Sequence, residues 1–136
     1  MSYAVFLSQM DEPAKVVQCT DYVLPECYRL IGCDTVQLVP IYPDRLPKGY
    51  DALCDENRYG KTVFINPLAS WIYGADDHGA AIMGNVVILK TVQTEEGEDL
   101  AFMTEEEANA LAEELNKDFE TKYDVVVFTV MKSMMQ

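Results

Sequence analysis

The run VVILKTV, Val86–Val92, follows Gly84-Asn85. Its first four residues, Val86 to Leu89, are all apolar, so neither face of a strand here is polar. Such a run suits a central strand buried on both sides. Outward toward the C-terminus, TEEGED (Thr94–Asp99) is a turn, and LAF (Leu100–Phe102) pairs back briefly.

TEEEANALAEELNKDFETKYD, from Thr104, is the clearest helix. Thr104 and Glu107 have capping-box spacing, and three glutamates sit at the positive end of the helix dipole. Ala108, Leu111, Ala112, Leu115 and Phe119 form one apolar stripe, with Lys117 and Lys122 near the far end. YDVVVFTVMKSMM, rich in β-branched and aromatic residues, is expected as a closing strand.

Outward toward the N-terminus, ADDHG (Ala75–Gly79) reads as a loop carrying the single histidine. Adjacent side chains in a loop do not converge on a metal without help from elsewhere, so no metal site is expected. Asn66-Pro67 starts a helix, with asparagine as N-cap and proline at the first helical position. Gly74 ends it, and Leu68, Trp71 and Ile72 share a face. YDALCD (Tyr50–Asp55) is a strand. DTVQLVPIYP (Asp34–Pro43) alternates as a strand, with Pro40 pushing it toward an edge. TDYVLPECYRLIG reads as a short helix capped by Thr20 or Asp21. Leu24, Tyr28 and Ile31 lie on one face, and Gly32 is its left-handed stop. YAVFLS and AKVVQC are two short strands joined by a turn.

CDENRYGKT (Cys54–Thr62) ends like a phosphate-binding loop. That loop requires a glycine five residues before the Gly-Lys, where this chain has Asp55, and it requires a helix to follow. TVFINP continues instead with strand-like residues. The stretch therefore reads as a hairpin tip, with Gly60 at a positive φ.

The order is thus β-β-α-β-β-α-β-α-β. It implies a single α+β domain over residues 1–136, with a mixed or mostly antiparallel sheet and three helices on one face. A chain of 136 residues suits one domain with its own core. The net charge of −13 argues against direct contact with nucleic acid or an anionic membrane. Glu95–Asp124 alone carries −10, from twelve acids and two lysines. Cys19, Cys27, Cys33 and Cys54 lack metal or redox spacing and read as buried, reduced thiols. No basic segment precedes the first apolar run, and no run approaches a membrane span, so a cytoplasmic protein is expected.

Residues 14–103 resemble a domain of unknown function encoded by phages and conjugative or integrative elements. The resemblance rests on LIG (Leu30–Gly32), VQLVPI (Val36–Ile41), Asp55-Glu56, Gly60-Lys61, Asn66 with Ala69, and Ile82, Gly84 and NVVILK. Residues 104–136, the acidic helix and closing strand, extend beyond that core. The family has no assigned reaction, and the resemblance identifies no catalytic residue. It implies a small accessory protein of a mobile element, in a host bacterial cell.

One histidine and no Ser-His or Cys-His signature argue against an enzyme, and no cofactor is expected. The expected function is binding of a host protein, countering host defence through an acidic surface made by Glu105, Glu106, Glu113 and Glu114. The alternative is binding or sequestering of a nucleotide signal by Arg58, Tyr59, Lys61 and Trp71, which offer cations and rings. The closing strand, exposed at an edge, would also allow a homodimer.

Overall fold

The computed structural model describes residues 1–10 and 12–135, with the backbone alone at Tyr59. Among the described residues the order is β1 (Ser2–Leu7), β2 (Lys15–Cys19), α1 (Val23–Ile31), β3 (Val36–Leu38), β4 (Tyr50–Asp55), α2 (Pro67–Tyr73), α3 (Ala75–His78), β5 (Val86–Thr94), β6 (Gly97–Ala101), α4 (Glu105–Asn116) and α5 (Phe119–Met134). A 3-10 turn, Arg58–Gly60, follows β4. The six strands form one open sheet in the order β2-β1-β5-β4-β3, and every pairing is antiparallel. Lys90 pairs with Tyr50 of β4 and with Ala101 of β6, so β6 lies on the β1 side of β5, beyond the β1 ladder.

The central strand is as its apolar run requires. Val86 and Ile88 enter one core with Val5, Leu7, Ala52 and Cys54. Val87 and Leu89 enter a second core on the opposite face with Ala4 and Leu53. Each such side chain contributes about 1.5–3 kcal/mol relative to exposure. Helices cover both faces, not one. Leu68, Ala69 and Ile72 of α2 and Ala108, Leu111, Ala112 and Leu115 of α4 close the first core. Cys27 and Ile31 of α1 close the second. A strand apolar on both faces cannot leave either one to water.

The largest correction lies at the C-terminus, where YDVVVFTVMKSMM forms α5 instead of a strand. Val126 and Val130, four apart, pack on Ala75 with Ile65, Trp71 and Ala81 against them. Their burial contributes about 3–6 kcal/mol together. Intrinsic helix preference disfavours β-branched residues by only a few tenths of a kcal/mol each, so packing decides. The preceding helix stops at Asn116 because Asp118 takes a left-handed φ of 54°. Five helices therefore stand where three were expected, and no terminal edge strand exists among the described residues to pair a dimer.

Smaller departures have local causes. The strand expected over residues 34–43 is confined to Val36–Leu38. Val39 still donates its N–H to Ala52 O (2.8 Å), but Pro40 has no N–H to continue the ladder. TVFINP forms no strand beyond one bridge, Ile65 with Met83. There is accordingly no hairpin, and Gly60 closes the 3-10 turn without a positive φ. ADDH is one turn of helix, since Gly74 at φ 89° ends α2 and starts α3. A Cβ on Gly74 would sit 2.3 Å from Tyr42 Cδ2, so this joint admits only glycine. The N-cap of α1 is Tyr22, without a side-chain cap bond. Asp21 Oδ1 instead accepts from the Tyr22 N–H. Leu24 is exposed, and the buried residues of α1 are Cys27, Ile31 and Glu26, the last paired with Arg29. Cys33 is half-buried, unlike the other three cysteines.

Candidate partner-binding groove

The acidic helix α4 is fixed at its start by reciprocal bonds. Thr104 Oγ1 accepts from the Glu107 N–H, and Glu107 Oε1 accepts from the Thr104 N–H, both at 3.1 Å. Glu107 Oε2 also pairs with Lys90 of β5 at 2.7 Å. Lys90 and then the Thr104 N–H hold the Glu107 carboxyl below the usual range. The stripe Ala108, Leu111, Ala112 and Leu115 faces the sheet, so Glu105, Glu106, Glu113 and Glu114 project outward and are exposed. Glu114 meets Lys117 at 3.2 Å, and Glu105 beside Tyr3 raises the phenol pKa.

Along this helix runs a hollow of about 430 Å³. Pro47, Tyr50, Ala110 and Leu111 contribute its apolar lining, and Glu106, Glu107 and Glu114 its carboxylates. At Pro47 and Glu114 it adjoins a second hollow of about 630 Å³, lined also by Asp44, Arg45, Lys48, Trp71 and Lys122. The Arg45 guanidinium stacks between Trp71, at 3.7 Å, and Tyr42, at 4.5 Å. It donates to Trp71 O at 2.8 Å and makes a bidentate pair with Asp76. Arg45 holds the Asp76 carboxyl below its usual range, and Asp76 raises the guanidinium in return. Lys122 Nζ donates to Leu115 O (3.3 Å) and lies 6.0 Å from the Trp71 ring; burial lowers its pKa.

No protein-family model, no curated protein and no solved structure matches the chain. Its function is therefore read from its side chains.

The four glutamates expected as a surface do share the exposed face of one helix. The cations and rings expected to bind a nucleotide signal have separate duties. Arg58 is buried and donates to Asp55 O at 3.2 Å, with Cys54 Sγ at 3.7 Å. Lys61 pairs with Asp55 at 2.6 Å. Burial pushes the Asp55 carboxyl up, but Lys61 and the Asn57 N–H outweigh it and hold the pKa low. Trp71 is committed to Arg45 and to the α5 contact. The Tyr59 side chain lies outside the described residues.

Arg45, Lys48, Asp76 and Lys122 were not anticipated. They come together from distant segments, and no spacing in the chain announces them. His78 is occupied locally, with Nε2 3.0 Å from Tyr73 O and Nδ1 accepting from the Ala80 N–H. A neutral ring protonated at Nε2 satisfies both bonds. Among the described residues no group of acids, histidines and cysteines could hold a metal, and no helix is long and apolar enough to cross a membrane.

Proposed function

We propose that this chain is a non-catalytic binding protein whose α4 groove takes a basic segment of a protein partner. The observation that carries the reading is the hollow between α4, Pro47 and Tyr50. It combines an apolar lining with a rim of Glu106, Glu107 and Glu114. Apolar anchors inside a polar rim are the usual anatomy of an interface. A carboxylate rim selects lysine and arginine, and it speeds their encounter. A partner that normally grips nucleic acid presents such a surface, and the carboxylates would stand in for phosphates. With the mobile-element resemblance, this supports an accessory, counter-defence role against a host protein.

The thiols support a role without catalysis. Burial pushes Cys19 up to about 12 and Cys27 up to about 11, far from the thiolate that a nucleophile needs at neutral pH.

The test is affinity capture from bacterial lysate at low and high salt, with the wild type and a Glu106→Lys/Glu114→Lys variant. Both sites are exposed, so the fold is kept. A partner held by the wild type, released by salt and missed by the variant is expected. A partner held equally by both proteins would refute the groove.

A second reading has one observation in its favour. Lys48, Lys122 and the Arg45-stacked Trp71 line the same hollow, which has room for a ring-bearing anion such as a nucleotide signal. Calorimetry with cyclic and linear nucleotides would show heat that Lys48→Glu removes. Silence across the panel would end this reading.

A further inference from the structure

We infer that the outer face of α5 pairs with the same face of a second copy, antiparallel, about a two-fold axis at Phe128. The helix uses its inner side, Val126 and Val130, to join the domain. Its outer stripe is Val125, Phe128, Met131 and Met135, exposed by 40%, 70%, 55% and 84%. These positions follow helical spacing, so they form one continuous apolar band and not scattered residues. Contiguous apolar surface of this kind marks an interaction site. A hollow of about 510 Å³ lined by Phe64, Met83, Tyr123 and Val127 extends it toward the body of the domain.

The charges beside the band identify the occupant. Asp124 lies one turn before Phe128 and Lys132 one turn after it, on the same side of the helix. Neither has an ion-pair partner within the chain among the described residues. When two copies cross antiparallel at Phe128, Asp124 of each faces Lys132 of the other, and Val125 faces Met131. The band is therefore self-complementary, as an isologous interface must be. A parallel pair would instead set Asp124 against Asp124. An anionic membrane is a poorer occupant for a chain of net charge −13.

Light scattering and sedimentation across a hundredfold dilution test the pairing. The wild type is expected to dimerise, and more strongly at high salt, because salt screens the repulsion between two acidic copies. That salt response is opposite to the one expected of the α4 groove, so the two readings succeed or fail separately. Phe128→Glu should leave the circular dichroism unchanged and yield monomers. Asp124→Lys and Lys132→Glu should each weaken the dimer several-fold, and the double exchange should restore it. Three results would overturn the inference: a monomeric wild type at every concentration, a dimer indifferent to Phe128→Glu, or a double exchange that fails to restore pairing.

Discussion

Asn66 shows how much one polar side chain can hold together. It is fully buried. Its amide nitrogen donates to Leu7 O and to Gly84 O, both at 2.8 Å, and its oxygen accepts from the Ala69 N–H at 3.1 Å. One residue thus caps α2 and ties it to the end of β1 and to the entry of β5. The sequence makes the cap legible through Asn66-Pro67, but the two carbonyls it reaches lie 59 and 18 residues away in the chain. Asn66→Ala removes the cap and orphans both carbonyls. It should cost about 3 kcal/mol or more, measured by urea denaturation. A loss below about 1 kcal/mol would show that the three bonds do not matter to stability. Asp76 makes a pH prediction. Its pKa is held below the ordinary 3.8 by Arg45, so the unfolded chain binds its proton first as pH falls. The stability from this pair is fully present above about pH 5 and is lost as pH falls through the folded-state value. Asp76→Asn should therefore destabilise the protein at neutral pH, by about 1.5–3 kcal/mol for the loss of charge-assisted hydrogen bonds in a partly buried pair. The gap from the wild type should close in acid. Parallel stability curves across that range would contradict the assignment.

At the level of elements, legibility followed how local the deciding interaction is. The capping box of α4, the Asn-Pro start of α2 and the apolar run of β5 depend on neighbours in the chain, and each appears as read. The C-terminal helix was hidden because its sequence favours a strand in isolation. What selects helix is the burial of Val126 and Val130 against α2 and α3, some fifty residues earlier. The same nonlocality concealed the stack of Arg45 on Trp71, while the glutamates of α4 were visible because they share one helix. The break between α4 and α5 supplies the test for this scale. Asp118 occupies a left-handed conformation that costs side-chain-bearing residues about 1–2 kcal/mol, though aspartate tolerates it best. Asp118→Gly should be neutral or slightly stabilising, and Asp118→Val should lower stability by roughly 1–2 kcal/mol in thermal or chemical melts. Equal stability of the glycine and valine variants would mean that the turn is not held left-handed.

For the whole molecule, the uneven charge sets the response to salt. Twelve acids and two lysines lie between Glu95 and Asp124, and only a few of these acids are paired. Repulsion among the rest opposes the compact state. Moderate salt should raise the denaturation midpoint, the reverse of the behaviour expected of a fold held by surface ion pairs. A midpoint that falls with added sodium chloride would mean that attraction between opposite charges outweighs this repulsion.

The sheet order also fixes when the molecule can come into being. Val5 pairs with Ile88, and Leu53 with Val87, so β5 is the keystone for strands made long before it. A ribosome must deliver more than eighty residues before β1 meets the neighbour that completes it. Until then the β1–β2 hairpin and β4 each present an unpaired apolar edge to solvent or to other nascent chains. Folding governed by such distant pairings is slow for a domain of this size, on the order of milliseconds to seconds. Stalled or truncated products ending ahead of Val86 should therefore be the aggregation-prone species, and a chaperone's natural clients.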